Sequence, residues 1–521
     1  MKPMKTWLHL LNRFIAQLFA RNPEISRSRR MRGRLKWRTT ALAGAIAMVL
    51  VFALRLPAAA SPAKHYTELT FPPLPELQLP EYERFQLDNG LVVYLMEDHE
   101  LPLASGMALF RTGDRWEPAD RVGLASLTGS VMRTGGTTQH PPDRLNQFLE
   151  QRAASVETGI DTASGSASFD ALSEDLEEVF KVFAEVIQQP AFAEKQFDLA
   201  ITQRRGQIAR RNDDPNAIAT REFRKLIYGD NSPYARTVEY ATLDKIDRND
   251  LRAFYQTYIR PDKTILGIVG DFDPQKMRSL IESTFGAWQP SAATPLRQPA
   301  KPKVSQAKPD GLFFVDRPQL TQSYVYLGHL GGQLDDPDYP ALTVLNNVMN
   351  GFGGRLFNEV RSRQGLAYSV FGAWSARYDY PGIFIAGGQT RSDATVPFVN
   401  AIQTEIDRLR TTPITSDELA YAKDSTLNSF IFNFQSPDQT LSRLMRYEYY
   451  GYPEDFLFQY RKEVEATTAE DVKRVAQSHL QPSQFVTLVV GNKTAIAPPL
   501  SSLNQGAPAT IDVTIPGDPS A

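Results

Sequence analysis

A helical segment, a proline and an apolar strand occur in the same order twice in this chain of 521 residues, and this repeat restricts the possible folds. In the first copy, Asp244–Tyr258 has the apolar spacing of an amphipathic helix, and the strand-like segment Thr264–Phe272 follows. In the second copy, Thr468–Leu480 is helical, with a threonine cap and an acid three residues later, and Phe485–Asn492 is the strand. Two unrelated domains are not expected to share this order.

One constant offset relates the two copies. It aligns Gly270 with Gly491, and it roughly brings the helix of Gly123–Met132 onto Ala341–Met349, with a glycine-rich turn after each. We therefore predict an internal duplication in which each half is an α+β domain with helices packed on a sheet.

Local composition indicates where these domains begin and end. Residues 61–81 are rich in proline and predict an extended lead-in, and residues 291–310 are rich in Pro, Ala and Lys and predict a linker. Residues 494–521 are rich in Pro, Ser and Gly, which predicts a disordered tail. The N-terminal domain is then expected at 82–290 and the C-terminal domain at 311–493.

The formal net charge of −2 is unevenly distributed. Residues 1–60 contain twelve Lys/Arg and one acid, whereas residues 61–521 contain 45 Lys/Arg and 58 Asp/Glu, a net charge of −13. So acidic a body argues against a nucleic-acid partner, because such binding depends on neutralising phosphates. The chain contains no cysteine, which excludes disulfides, thiolate catalysis and Cys-ligated metal sites.

The N-terminus has the pattern of an export signal. Residues 1–38 are basic, Ala41–Leu54 is a short apolar run, and Ala58-Ala59-Ala60 offers a small-residue cleavage site. We predict a secretory signal peptide and an exported protein, in a periplasmic or equivalent extracytoplasmic compartment. An uncleaved membrane anchor is the alternative, although the apolar run is shorter than the roughly 20 residues of a spanning helix.

The stretch Phe85–Thr137 carries the most informative motifs. It predicts a hairpin turning at Asp88-Asn89-Gly90, followed by the helix of Gly123–Met132. With the tandem halves and the stretch Asn358–Tyr368, it resembles the pitrilysin/insulinase family of zinc metallopeptidases, the inverzincins, and most of all the branch containing mitochondrial processing peptidase. The resemblance covers about residues 82–493. It implies two homologous domains, each a mostly antiparallel sheet with helices packed on it, as in LuxS and the processing peptidases.

All four positions that carry the chemistry of active members differ here. The family helix reads G-L-A-H-x-x-E-H-M, where two histidines bind zinc and the glutamate activates its water. Carried over by position, the first histidine becomes Ser126, the glutamate becomes Gly129 and the second histidine becomes Ser130. The third ligand, a glutamate eight residues before the proline of the D-x-P turn, becomes Gln207.

These substitutions remove the expected zinc chemistry. Zinc sites use imidazole, thiolate or carboxylate ligands, which serine, glycine and glutamine do not supply. The histidines beyond residue 60 include no pair at helical spacing: His65, His99, His140, His329 and His479. Gly129 also has no side chain to take a proton from a water. We therefore predict no metal or other cofactor in this chain, and zinc in a partner chain instead.

The second half retains the family pattern of an arginine and a tyrosine seven residues apart, at Arg361 and Tyr368. A helix from about Leu356 is expected to end near Gln364, with Gly365 as its left-handed terminus, and Leu366–Trp374 is expected to be a strand. The resemblance implies that Arg361 and Tyr368 bind substrate. The structural alternative is that Arg361 complements the helix dipole and Tyr368 packs at a sheet edge.

Three hypotheses about function follow. The leading one is a subunit that is not catalytic alone, pairs with a homologous chain bearing an intact zinc site, and supplies Arg361 and Tyr368 for the binding and hydrolysis of extended peptides. Nucleic acid is not an expected partner, and membrane contact is expected only through an uncleaved N-terminal segment. The second is a structural or chaperone-like envelope component without a peptidase role. The third is an active peptidase with a cryptic metal site.

Overall fold

The computed structural model describes residues 79–290 and 299–517, whose strands form two six-stranded sheets. The predicted signal segment (1–60), nearly all of the predicted lead-in and part of the linker lie outside the described residues. The predictions made for those segments stay predictions.

The first sheet is built from the N-terminal half. Its strands are β1 (Glu83–Gln86), β2 (Val92–Glu97), β3 (Leu103–Phe110), β4 (Ser155–Ile160), β5 (Gly165–Leu172) and β6 (Thr264–Gly270). Their order is β1-β2-β6-β3-β5-β4, and β2–β6 is the parallel pair among otherwise antiparallel neighbours. The predicted hairpin is confirmed, since Phe85 of β1 lies opposite Val93 of β2 and Gly90 adopts a left-handed φ of 91° in the turn.

The second sheet is built from the C-terminal half. Its strands are β7 (Gly311–Asp316), β8 (Gln322–Leu330), β9 (Ala367–Ser375), β10 (Ile383–Arg391), β11 (Val486–Gly491) and β12 (Ala509–Thr510). Their order is β12-β7-β11-β8-β10-β9, in which β7 runs parallel to both β11 and β12.

Five strands of one sheet correspond to five strands of the other. The order β2-β6-β3-β5-β4 matches β7-β11-β8-β10-β9, including the position of the parallel pair β2–β6 against β7–β11. Gly270 and Gly491 end equivalent strands. The predicted duplication and the α+β class with mostly antiparallel sheets are confirmed.

The N-terminal half contains eight α-helices among the described residues. They are α1 (Leu124–Thr134), α2 (Pro142–Glu150), α3 (Leu176–Gln188), α4 (Glu194–Ala209), α5 (Pro215–Tyr228), α6 (Tyr240–Leu243), α7 (Arg248–Tyr258) and α8 (Pro274–Phe285). The expected helix over Asp244–Tyr258 begins four residues late, because the Asp247 side chain accepts the amide hydrogens of Asn249 and Asp250 and caps α7 at that point.

The C-terminal half follows the same scheme. Its helices are α9 (Tyr339–Met349), a π-helix (Leu356–Arg363), α10 (Thr395–Thr411), α11 (Ser416–Phe430), α12 (Pro437–Tyr450), α13 (Phe456–Ala466) and α14 (Ala469–His479). The predicted cap of α14 is confirmed: Thr468 Oγ1 accepts from the Asp471 amide, and the Asp471 carboxylate accepts from the Thr468 amide.

One face of each sheet packs against helices of its own half. In the first half, Val131 of α1 and Phe183 of α3 pack with Phe169 and Leu266 of the sheet in one fully buried core. In the second half, Leu345 of α9, Ile402 of α10 and Val475 of α14 pack in the corresponding way with Leu327 and Phe384. Burial of such large apolar side chains supplies most of the driving force for this packing.

The opposite face of each sheet packs against a helix from the other half. Leu441, Leu444 and Met445 of α12 cover the first sheet, and Gly267 of β6 permits this, since a Cβ there would lie 2.3 Å from Met445 Sδ. Reciprocally, α5 packs its residue Phe223 against β8 and β11 of the second sheet. The linker at 291–310 therefore divides the strands of the two sheets along the sequence. It does not divide the helices in the same way, because α5 and α12 each cover the sheet of the other half.

The prediction of a disordered tail is wrong for residues 494–517. Leu500 and Leu503 are buried in the core of the second half, β12 pairs with the outer edge of β7, and Ile515 is 7% exposed in the core of the first half. Composition misled here because a few apolar residues and one free strand edge order a segment otherwise rich in Pro, Ser and Gly.

Across the described ranges, none of the helices combines the length and the apolar character that crossing a bilayer requires.

Candidate functional site

Helix α1, which carries three of the four altered positions, is capped by a buried carboxylate. Glu117 accepts hydrogen bonds from the backbone amides of Gly123, at 2.9 Å, and Ala125, at 2.8 Å. The first turn of α1 contains no acid, so the Glu117 carboxyl oxygens accept from amides that the start of a helix leaves without intrahelical partners. Burial raises the pKa of Glu117 to about 7, although these two amide hydrogen bonds act in the opposite direction.

An arginine joins Ser126 to Gln207. Arg204 lies one turn before Gln207 on α4, and its Nη1 donates to Gln207 Oε1 at 2.9 Å while its Nη2 donates to Ser126 Oγ at 3.1 Å. Burial lowers the pKa of Arg204, and the charge of Glu117 opposes that effect. The predicted neighbourhood of Ser126 and Gln207 is thus present, with a guanidinium group between the two side chains.

The position of the family's catalytic glutamate is closed by the sheet. A Cβ on Gly129 would lie 2.5 Å from the backbone nitrogen of Ile160 and 2.7 Å from the carbonyl carbon of Gly159, so α1 approaches β4 too closely for any side chain. Thr158 Oγ1 also donates to the Gly129 carbonyl. Ser130, one residue further, is exposed.

These residues do not fit a zinc ion. Two hydroxyls and an amide stand at the three ligand positions, and the Ser126 and Gln207 oxygens already accept from a positively charged group. A cation entering between them would meet the Arg204 charge. No chemical step is therefore assigned to a metal at α1.

The second candidate region lies on the π-helix and β9. The π-helix ends at Arg363 and Gly365 takes a left-handed φ of 61°, which confirms the predicted terminus, although the sequence did not indicate the wider helical turn. The Arg361 guanidinium lies 4.8 Å from the ring centre of Phe357 and 5.3 Å from that of Tyr368. Tyr368 is 77% exposed at the start of β9.

The Arg361 guanidinium has hydrogen-bond donors that the described residues leave unused. Within residues 79–290 and 299–517 its side chain contacts aromatic rings but forms no hydrogen bond or ion pair, so its N–H groups are free to bind carbonyl or carboxylate oxygens. The two rings hold the guanidinium in place by cation–π attraction.

The start of the π-helix is fixed by an ion pair. Arg355 donates to both oxygens of Glu418 on α11, at 2.6 and 3.0 Å, and this hydrogen bonding lowers the pKa of Glu418 to about 2. The preceding loop, Gly351–Gly354, packs on the ring of Tyr421 and exposes Phe352 (82% exposed). A firmly held helix thus presents an aromatic and cationic surface.

The structure does not bring the two regions into direct contact. No hydrogen bond, ion pair or ring contact among the described residues connects Arg361 or Tyr368 with the altered positions, which are Ser126, Gly129, Ser130 and Gln207. The side-chain contacts of each region are therefore separate from those of the other.

Another cluster contains three potential metal ligands. Single ligand atoms of Asp336, Asp338 and His479 lie within 4.8 Å of one another. Asp338, however, already accepts from Arg474 at 2.8 Å and from His479 at 2.8 Å. These two bases satisfy its carboxylate, so we assign no metal to the cluster.

Sequence reasoning missed three contributors to these regions. Arg204 was detectable, because an arginine one turn before Gln207 lies on the same helical face. Glu117 gave no signal, since a single acid between Trp116 and Pro118 is unremarkable in sequence. The contact between Phe357 and Arg361 was also detectable, because residues four apart lie on the same face of a helix.

Family comparisons match both halves of the chain. The model described as insulinase (peptidase family M16) matches residues 92–239, and the model described as peptidase M16 inactive domain matches residues 245–426. The first range contains all four altered positions, and the second contains Arg361 and Tyr368.

The individual relatives have low sequence identity to this chain, but the similarity extends over most of its length. The uncharacterized zinc protease YmxG of Bacillus subtilis is 23% identical over 69% of this chain and 86% of its own length. The non-peptidase homolog YmxG of Helicobacter pylori is 22% identical over 76% of this chain and 91% of its own length. A crystal structure of a peptidase M16 inactive domain from Pseudomonas fluorescens superposes with a TM-score of 0.69 at 24% identity, covering 80% of this chain and 99% of that one, which shows a common fold.

Proposed function

The chain belongs to the insulinase family of M16 peptidases, and from that premise we propose that it is a non-catalytic subunit of a two-chain peptidase. In this proposal a homologous chain with an intact zinc site performs hydrolysis. The present chain contributes Arg361 and Tyr368 to hold an extended peptide.

The observation that carries the proposal is the contrast between two guanidinium groups. Arg204 is committed to Ser126 and Gln207 where active relatives place a metal, whereas Arg361 lies over two rings and donates no side-chain hydrogen bond to the described residues. A positioned, unpaired guanidinium suits a peptide carbonyl or the negative charge of a tetrahedral intermediate.

The edge of the second sheet supports peptide binding at the same place. β9 is the last strand in the order of that sheet, so its outer backbone groups have no strand partner among the described residues. An extended peptide can add to such an edge through main-chain hydrogen bonds. Tyr368, the second residue of β9, then lies beside the bound backbone.

The direct test is reconstitution. The full chain is co-purified with a homologous chain bearing H-x-x-E-H, and cleavage of an unfolded peptide is followed for wild type, Arg361→Ala and Tyr368→Phe. Loss of one hydrogen bond from a charged donor is worth roughly 1.5–3 kcal/mol, so we expect Arg361→Ala to lower kcat/KM by about tenfold or more. Tyr368→Phe keeps the ring beside Arg361 and removes only the hydroxyl.

Arg363→Ala is the matched control. Arg363 lies on the same π-helix, is 75% exposed at its side chain, and pairs with Glu359 instead of an aromatic ring. It should leave both co-purification and cleavage unchanged. Equal cleavage by all variants would favour the structural or chaperone-like role, and hydrolysis by this chain alone with stoichiometric zinc would favour a cryptic active site.

The proposal includes an exported location, based on the basic and apolar segments of residues 1–60. Fractionation of cells that express the full chain tests export. The mass of the purified protein then shows whether the chain is cleaved after Ala60. Recovery of the intact chain from the cytoplasm would remove this part of the proposal.

A further inference from the structure

A cavity of about 340 Å³ lies where elements of the two halves meet. The turn between β4 and β5 and helix α5 contribute from the first half, and the turn between β9 and β10 and the end of α12 contribute from the second. Its size is at the lower end of the range for small-molecule sites. It lies apart from the residues discussed above, since none of Ser126, Gln207, Arg361 or Tyr368 lines it.

Three arginines line this cavity: Arg224, Arg377 and Arg446. Arg224 is held in position, because its Nη2 donates to the Tyr234 carbonyl at 2.6 Å. Arg377 and Arg446 are exposed, and over the part of the chain that the structure describes neither side chain forms an ion pair or a hydrogen bond. Guanidinium groups gathered without carboxylate partners are expected to attract an anion.

The acids of the cavity do not cancel this positive charge. Asp379 is shared between Arg115, at 2.8 Å, and Lys301, at 3.4 Å. Asp161 accepts the amide hydrogens of Ala163 and Ser164 in its own turn. Because Arg115 and Lys301 balance the charge of Asp379, Asp161 is the remaining negative charge in the lining, against three positive arginines.

Tyrosines form another part of the wall and give it rigidity. Tyr378 stacks on Tyr450 with ring centres 4.6 Å apart and an interplanar angle of 6°, and Tyr380 stacks on Tyr234 at 4.3 Å. Burial raises the pKa of Tyr380 and of Tyr450, so their hydroxyls stay protonated and able to donate. Rigid rings with phenolic donors beside arginines can bind oxygen atoms with little loss of side-chain entropy.

We infer that this cavity binds a small polyvalent oxyanion, of the phosphate or carboxylate type, between Arg224, Arg377 and Arg446. Arginine forks match the oxygen geometry of both groups, and the ligand would contact both halves at once. The inference does not depend on the proposed peptidase role.

Calorimetric titration of the full chain tests it, with inorganic diphosphate and citrate as separate probes at low ionic strength. We expect one site per chain, with binding that weakens as salt is added. Arg377→Gln and Arg446→Gln should each weaken binding by about tenfold or more, as loss of a charge-assisted hydrogen bond predicts. Both side chains are exposed, so thermal unfolding without ligand should match that of the wild type.

Arg144→Gln is the control, because it removes one positive charge from an exposed position on α2 outside the cavity. It should leave binding unchanged. Diphosphate binding alone would identify a phosphate-type ligand, and citrate binding alone a carboxylate-type ligand. Failure of both probes at millimolar concentration, or equal weakening by Arg144→Gln, would overturn the inference.

Discussion

Two helices occupy equivalent places in the two halves and differ in form. α2 precedes β4 in the first half, and the π-helix precedes β9 in the second. α2 is a regular α-helix, whereas the π-helix is widened along its length and carries Arg361 on its last turn. π-Helical turns are rare and frequently mark functional sites. The duplicated fold thus has a regular α-helix at this place in one half and a π-helix at the equivalent place in the other.

The same contrast holds for the polar groups of the two halves. At α1, Arg204 fills the space beside Ser126, Glu117 is buried and Gly129 is closed by β4. At the π-helix, Arg361 is half-buried against two aromatic rings and forms no side-chain hydrogen bond with the described residues, and Tyr368 is exposed. The polar groups at α1 are thus committed to contacts within the first half, whereas the donors of Arg361 remain unused among the described residues.

Restoring the family glutamate at Gly129 should be the most damaging change. Gly129→Glu forces a long charged side chain into backbone atoms that already lie 2.5 Å from the Cβ position, so we expect a loss of more than about 4 kcal/mol or no folded protein. Gly129→Ala is the milder variant, with an expected loss of about 1–3 kcal/mol. Urea denaturation measures both.

Gly206 provides the matched control for this prediction. It lies inside α4, and a Cβ there would have no neighbour within 4 Å. Gly206→Ala should therefore stabilise the protein by up to about 1 kcal/mol, as helix propensity predicts. If Gly129→Ala also stabilised the protein, the closed site at α1 would be disproved.

The pH dependence of stability should differ between the two halves. Glu117 has a pKa of about 7 in the folded protein against an ordinary value of 4.5, so the folded state keeps a proton that the unfolded state loses between these pH values. Its contribution is fully present below pH 4.5 and is lost as the pH rises through 7. The difference is on the order of 3 kcal/mol.

Glu418 acts in the opposite sense. Its pKa of about 2 means that its contribution is present above pH 4.5 and is lost as the pH falls towards 2. Urea denaturation from pH 2 to pH 8 should show that Glu117→Gln flattens the curve above pH 4.5 and Glu418→Gln flattens it below. An unchanged slope above pH 4.5 in Glu117→Gln would mean that this carboxyl is ionised in the folded protein.

Much of the fold was predictable because local patterns determine it. The hairpin at Gly90, the cap at Thr468 and the left-handed Gly365 are properties of short segments, and the repeat identified equivalent strands. The exchange of α5 and α12 between the sheets was not predictable, because it depends on which apolar surfaces meet after folding. The order of the tail at Ile515 has the same origin.

The candidate site was predictable in position but not in environment. Family spacing located Ser126, Gln207, Arg361 and Tyr368. The insertion of Arg204 between Ser126 and Gln207 depends on the packing of α4 against α1, which no local pattern specifies. The steric closure at Gly129 likewise depends on a strand about 30 residues away along the chain.

The smallest effect on stability is expected at Arg361 and Tyr368, and it sharpens the contrast between the halves most directly. Among the described residues, the Arg361 guanidinium interacts with the rings of Phe357 and Tyr368, and a cation–π contact close to the surface is worth about 0.5–1 kcal/mol. Arg361→Ala and Tyr368→Ala should each change the free energy of unfolding by less than about 1 kcal/mol. The double variant should lose little more than either single one, because both remove the same contact. A loss above about 2 kcal/mol would make Arg361 a packing residue like Arg204, and the two halves would no longer differ in the way the fold suggests.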